Sequence, residues 1–538
     1  MNSGQTVSEF VTTEMKTLTT FREKAVRVKR ALGRARNSLT SLVSISSISD
    51  DILLHIFRLV MDESLLKFED QMDHRTPHVH ILAPSQVCTR WRQISLSSRS
   101  LWSQIKLSIR REILLLGDIC ADRSGDLPLN IRVIEPFGRS DTYHRRSLTH
   151  FFSKAGPRVA SFELAVLSPL RAPRSMPYFY ILGSSFKRWE PGQLTRLILF
   201  ERNIPNYREL GEEGFNHSKS AHWFLFPRTM MEQAINKNGR AVQFEVDSQH
   251  FEDVLSHVKV LELDAVYPFW ASKAYHGLVE LRLIGPRRLT TVIAIQELAN
   301  ILASSPGLRV LQLGLEVSLD EISPEPVHLR DLEVFVFHSL HHDTQQAALK
   351  LLAPGQKPLQ MFTVYNGSEL RCLPAEFHDE FYQFFRRSNI SYLKVYGSIL
   401  SVELPKLLEL LLNLETLVLR QAELKRVEQS DQDGKVASIC SQLRNLHLFY
   451  CTFDLKTLQW MVNTHNLRMI ALYHSVVRVA SEDGLCGDNQ CIPMLQSISP
   501  FIHVLDGDSA PKFGDRVLAL SDIYSRDTSA LVMDYMLH

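Results

Sequence analysis

The residue types that could carry chemistry are present in this chain, but their spacing does not bring them together. His341, His342 and Asp343 are adjacent and could move protons, yet no nucleophile or pocket can be assigned to them, so a loop without catalytic duty is expected there. Cys440, Cys451, His465 and His474 are metal-ligating types separated by ten, thirteen and eight residues, unlike the short paired spacings of zinc sites. Cys486 and Cys491 have four residues between them and read as two ordinary thiols. HExxH, the Walker loop, GxGxxG after a strand and the GxSxG elbow are all missing, so no catalytic residue, cofactor or metal is expected. A binding stripe is the better-formed pattern. The hexamer apolar-x-x-apolar-x-apolar recurs, and in its later copies the residue that follows it is Phe335, Tyr365, Tyr396, Arg420, Phe449 and Tyr473. Five of these six are aromatic, the side chains that most often anchor protein interfaces, with Arg420 as a polar specificity contact. The same rings could instead pack beneath loops; the sequence leaves both readings open.

The hexamers must be what positions these residues. They are VASFEL (159 to 164), LTRLIL (194 to 199), VKVLEL (258 to 263), LVELRL (278 to 283), LRVLQL (308 to 313) and LRDLEV (329 to 334), then LQMFTV (359 to 364), ISYLKV (390 to 395), LETLVL (414 to 419), LRNLHL (443 to 448) and LRMIAL (467 to 472). From 258 to 467 their mean spacing is about 26 residues, within the range of leucine-rich repeats. Each hexamer predicts a short strand with two apolar side chains turned inward. Segments such as ILASSPG and DLKTLQWMVNTHN predict outer helices, and stacking gives a curved parallel sheet. Residues 150 to 475 thus resemble a leucine-rich-repeat solenoid, with Asn203 and Cys451 alone at the position of the family's asparagine ladder. Residues 201–257, with Trp223 to Phe226, read as an insertion or a degenerate repeat, and 480–538 as a cap or tail without a further strand.

Ahead of the repeats, Leu18, Phe21, Ala25, Val28, Leu32, Ala35, Leu39 and Leu42 alternate in steps of three and four, predicting one amphipathic helix over residues 1–45. Eight basic residues against two acidic ones lie between 14 and 36. A solvated helix docking its stripe, a self-associating coil, a nuclear import signal and a nucleic-acid arm all fit this density. Asp50 or Ser49 can then cap a helix carrying Ile52, Leu53, Ile56 and Phe57 and ending near Met61. A loop with three histidines follows over 64–83, and a second helix opened by Pro84 runs to Ile94 before Leu101 and Trp102 return to the core.

The order Ile48, Asp50-Asp51-Ile52-Leu53, Ile56-Phe57, Val87-Cys88, Trp91-Arg92, Leu101-Trp102 resembles the F-box, here over residues 46–108, of the fungal type led by a heptad-patterned helix. Two features depart from the family: Ile48-Ser49 replaces its Leu-Pro, and the loop between helices is long. The resemblance implies an α/β chain, a small all-α F-box followed by an irregular solenoid over 109–479. It further implies a substrate-receptor subunit of a Skp, cullin and F-box ubiquitin ligase. In that reading Ile52, Leu53, Ile56, Phe57, Val87, Trp91 and Trp102 meet the Skp adaptor, cullin is reached through it, and the repeats hold a target protein. The alternatives are a repeat scaffold that recruits no ligase and a nucleic-acid binder using the basic helix.

Composition bounds these readings. The 538 residues exceed one compact core, and 45% hydrophobic with 22% charged residues excludes wholesale disorder. A net charge of +1 supplies no global field for nucleic acid, and seven cysteines suit a reduced compartment, cytoplasmic or nuclear. The most apolar stretch, 403 to 419, contains Glu403, Lys406, Glu409 and Glu415, so no membrane span and no membrane partner is expected. Glu9, Glu14 and Glu23 speak against a mitochondrial presequence.

Overall fold

The computed structural model describes residues 3–38, 44–67, 79–107, 111–136, 145–169, 175–204, 223–227, 240–285, 291–318, 324–339, 342–365, 379–425, 440–478, 485–487, 495 and 497–504. The chain divides into two units, the first holding residues 1–107 and 111–129 and the second the remainder.

The first unit is helical. Helix α1 (Ser3–Ser38) is followed by α2 (Asp50–Lys67), α3 (Val79–Val87), α4 (Thr89–Ser97), α5 (Arg99–Trp102), a strand at Gln104–Leu107 and α6 (Arg111–Arg123). Asp50 and Asp51 place negative charge in the first turn of α2, where the helix dipole favours it. The Ser49 carbonyl accepts the Leu53 amide at 3.0 Å and opens the helix. Arg90 of α4 ties this end down, its Nη2 reaching Asp50 Oδ1 and the Ile48 carbonyl at 2.6 Å each. Beneath lie Leu53, Phe57, Ile94, Leu101, Trp102, Ile105 and Leu107. Trp102 donates its indole N–H to the Ser95 carbonyl at 2.7 Å and carries the Arg123 guanidinium over its ring at 4.4 Å.

Two expectations need correction here. Helix α2 continues past Met61 to Lys67, and α3 begins at Val79, so only 68–78 of the expected loop lies outside the described residues. The second helix is two: Cys88, extended at φ −152°, separates α3 from α4, and Pro84 sits inside α3 instead of opening it. The stripe of α1 is exposed, with Leu18, Phe21, Val28 and Leu32 all open to solvent.

In the second unit, strands β1 (Leu129–Pro136), β2 (Val159–Pro169), β3 (Arg196–Ile204), β4 (Val260–Asp264), β5 (Glu280–Ile284), β6 (Val310–Gly314) and β7 (Val334–Ser339) continue with β8 (Leu359–Tyr365), β9 (Ile390–Val402), β10 (Thr416–Leu424), β11 (Asn445–Phe449), β12 (Met469–Tyr473) and β13 (Ile502–Val504) in one sheet. From β2 to β13 each strand pairs in parallel with the next. The order along the sheet is the order along the sequence, as a solenoid requires.

Register explains the hexamer. Phe162, Leu197, Leu261, Leu281, Leu311, Phe335, Met361, Leu393, Leu417, Leu446 and Ile470 form one row across the strands, each side chain fully buried. Helices Ile295–Ala303, His342–Leu351, Asp379–Arg387, Leu404–Leu410 and Leu455–Thr464 bury apolar residues on this side, among them Leu298, Phe384 and Met461. Asp247 and Asp454 cap helices Ser248–Leu255 and Leu455–Thr464 by accepting the amides of His250 and Lys456.

Cys451 and Ser475 do the work expected of ladder asparagines. The Cys451 thiol donates to the Leu419 carbonyl at 3.3 Å, and Ser475 Oγ donates to the Leu448 carbonyl at 3.1 Å while accepting the Cys451 amide at 3.2 Å. Burial pushes the Cys451 thiol up to about 12, so it is an inert structural group.

The insertion region carries strands Trp223–Pro227 and Arg240–Phe244, which with Val266–Pro268 make a separate three-stranded sheet. The region after 480 also holds strands: Leu485–Gly487 pairs antiparallel with Val476–Arg478, and β13 extends the main sheet. That corrects the expectation of a strandless cap; residues 505–538 lie outside the described residues.

Candidate functional site

Strand alternation turns every second residue to the face opposite the helices. Along its middle that face is closed. Arg282 donates to Gln312 Oε1 at 3.1 Å, and Gln312 Nε2 donates to His338 Nε2 at 2.7 Å, a polar chain crossing β5, β6 and β7 with every member buried. Glu262, the Cα partner of Arg282 in the register, is buried as well. Burial pushes its carboxyl up to about 7, with Arg282 opposing. Beside this chain, Val334, Val336 and Phe362 form a buried apolar cluster joined by Val310 and Tyr392.

Toward the C-terminal end the face opens. Tyr396, Arg420, Phe449 and Tyr473 are consecutive Cα partners across β9, β10, β11 and β12, and all four are half-buried. The Arg420 guanidinium lies 4.9 Å from the Tyr396 ring and 5.7 Å from the Tyr450 ring. Phe449 and Tyr473 approach to 6.0 Å, and Tyr450 meets Tyr473 edge-on at 5.4 Å. His474 packs at 4.4 Å from Tyr473 and stacks on Tyr450 at 5.5 Å. His447, one row inward, lies parallel to Phe449; burial pulls its imidazole down to about 4, so it is neutral at pH 7.

Backbone strain builds this cluster. Gln421, Tyr450 and His474 have φ of 54°, 53° and 46°, the left-handed region that costs a residue with a side chain about 1 kcal/mol or more. Each follows the row residue of its strand, and the turn sets Tyr450 and His474 beside Phe449 and Tyr473. Tyr450 was not singled out from the sequence, and His474 was weighed there only as a metal-ligating type. The available signal was an aromatic or imidazole side chain directly after the row residue in two successive repeats.

Two of the expected stripe residues are not in it. Phe335 is fully buried on the helix side, with its ring 5.6 Å from Phe337 and 5.9 Å from Phe384. The repeat there is framed three residues later than LRDLEV: Leu332, Phe335 and Phe337 take the places of Leu308, Leu311 and Leu313. Tyr365 is displaced by one. Phe362 pairs with Lys394, which puts Val364 level with Tyr396, and an irregularity between Leu359 and Gln360 shifts the pairing. The Tyr365 side chain lies outside the described residues.

The first unit separates its expected adaptor residues in the same way. Leu53, Phe57 and Trp102 are core, at 0%, 2% and 1% exposure, which withdraws them from any contact surface. Ile52 and Val87 are 55% and 59% exposed, while Ile56 and Trp91 are half-buried, the Trp91 ring packing 4.8 Å from Phe57.

Where they are described, the residues considered for chemistry make structural contacts. His342 and Asp343 open the helix His342–Leu351 in place of a loop. Cys440 donates to the Leu411 carbonyl and His465 bonds the Cys440 carbonyl through Nδ1 at 3.1 Å, both structural contacts. Among the described residues no helix is long and apolar enough to cross a membrane.

No family model matches this sequence, and no curated protein matches it. Among solved structures the chain is similar to an internalin (inlF) from Listeria monocytogenes at 11% identity and a TM-score of 0.27, over 63% of this chain and 87% of that one. The architecture, a helical unit and then a leucine-rich-repeat solenoid, rests on the sheet's own register.

Proposed function

We propose that this chain is a non-catalytic protein-binding receptor whose solenoid holds a target protein on the open aromatic end of its helix-free face. The observation that carries the reading is the row Tyr396, Arg420, Phe449 and Tyr473, half-exposed where the middle of that face is closed. Rigid aromatic rings around one guanidinium form a low-entropy contact surface, and Arg420 suits an acidic group on the target.

The finer proposal is that the helical unit acts as an F-box, docking on a Skp adaptor so that a cullin ligase ubiquitinates the held target. Supporting it is the division of labour in that unit: Leu53, Phe57 and Trp102 form the core while Ile52, Ile56, Val87 and Trp91 leave apolar surface open on α2, α3 and α4. Co-purification tests it. Ile52→Asp with Ile56→Asp should remove the Skp adaptor while circular dichroism stays native. Retained adaptor would end the ligase reading and leave a repeat scaffold.

A further inference from the structure

Helix α1 presents an apolar seam left open among the described residues: Leu18, Phe21, Ala25, Val28 and Leu32 are all exposed, and Phe21, Lys24, Ala25, Val28, Lys29 and Leu32 frame a shallow groove along it. The seam follows a strict seven-residue repeat, the pattern of a helix meant to pack on another helix. What flanks the seam decides which helix. The position after each of Phe21, Val28 and Ala35 is basic: Arg22, Lys29 and Arg36. Across the seam the flanking positions are Thr17, Lys24 and Ala31, so neither flank carries an acid.

A second copy of this helix therefore fits poorly. Parallel pairing sets Lys24 against the other copy's Lys29, and antiparallel pairing sets the row of Arg22, Lys29 and Arg36 against itself. Flanking charges choose partners in paired helices, and like charges reject them. Glu14 occupies the seam position one repeat before Phe21 and interrupts the apolar run after Val11. We infer that α1 is a docking helix for a different protein, an amphipathic helix with acidic residues beside its apolar seam. The site is independent of the aromatic row and of the F-box reading.

The test uses the full chain and two synthetic probe helices of about four heptads, both with leucine on the seam, one flanked by glutamate and the other by lysine. The chain alone should sediment as a monomer at micromolar concentration. By fluorescence anisotropy the acidic probe should bind at least about tenfold more tightly than the basic one, and added salt should narrow the gap. Arg22→Glu with Lys29→Glu should invert the preference, and Leu18→Ser with Val28→Ser should abolish binding of both. The inference is overturned by equal binding of the two probes, or by a dimer that the Leu18 and Val28 substitutions dissociate. Tighter binding to anionic vesicles or to RNA than to the acidic probe, at physiological salt, also overturns it.

Discussion

Glu262 is the sharpest energetic test of the solenoid's interior. Its carboxyl sits on the closed part of the helix-free face, 4% exposed, and burial raises it from 4.5 to about 7 against the opposing pull of Arg282. A raised acid pKa means that the folded state holds its proton more tightly than the unfolded chain. The associated stabilisation is complete below about pH 4.5 and is lost as pH rises through about 7. A shift of about 2.5 units at 1.36 kcal/mol each gives on the order of 3 kcal/mol. Glu262→Gln keeps the shape and stays neutral, so it removes the dependence. Urea unfolding of both proteins, followed by tryptophan fluorescence between pH 4.5 and 8, isolates the effect as a difference. The variant should match the parent at the acid end and exceed it by about 3 kcal/mol at pH 8. A difference that does not vary with pH refutes the argument. So does a variant that is weaker throughout, which would mean that an ionised Glu262 is held by Arg282.

His447 works in the opposite direction. With its imidazole pulled down to about 4, the folded state excludes a proton that the unfolded chain takes up, so stability falls as pH drops from 6.5 toward 4, and His447→Gln should flatten that limb of the urea profile. Phe335→Ala should cost about 3 to 5 kcal/mol of stability, read as a lower urea midpoint, while target capture by the folded fraction is unchanged. Tyr396→Ala and Phe449→Ala should each weaken target capture by about 1 to 3 kcal/mol in a binding titration, with adaptor co-purification intact. Lower melting temperatures with full capture would instead assign these rings to packing.

The solenoid was legible because nine of the eleven hexamers frame the main-sheet strands, each of these supplying the same two inward residues. LRDLEV failed for a physical reason. Leu329, Leu332 and Val334 fit the apolar pattern as well as Leu332, Phe335 and Phe337 do, and the frame is decided by contacts distant in sequence, the pairing with Leu311 and Leu313 and the ring of Phe384 on the helix side. At Tyr365 the cause was local. One irregular pairing step shifts the strand by a residue, and a one-residue slip exchanges the faces of a sheet. The places of Tyr450 and His474 in the cluster were missed because left-handed backbone at residues other than glycine leaves no compositional mark. In the first unit the helical spacing of Ile52, Leu53, Ile56 and Phe57 found the right helix. Which of the four is core depends on what packs beneath, and periodicity does not report that.

The central claim is that one surface recruits a ligase and another, in the second unit, holds its target. Quantitative affinity purification of the full chain tests it most directly, comparing the parent with Ile52→Asp/Ile56→Asp and with Tyr396→Ala/Arg420→Ala. The account predicts separable losses. The first pair should lose the Skp adaptor and cullin yet keep a defined target, now without ubiquitin conjugates. The second pair should lose that target and keep the adaptor. Retention of both partners by both variants, with each variant natively folded, would contradict the account.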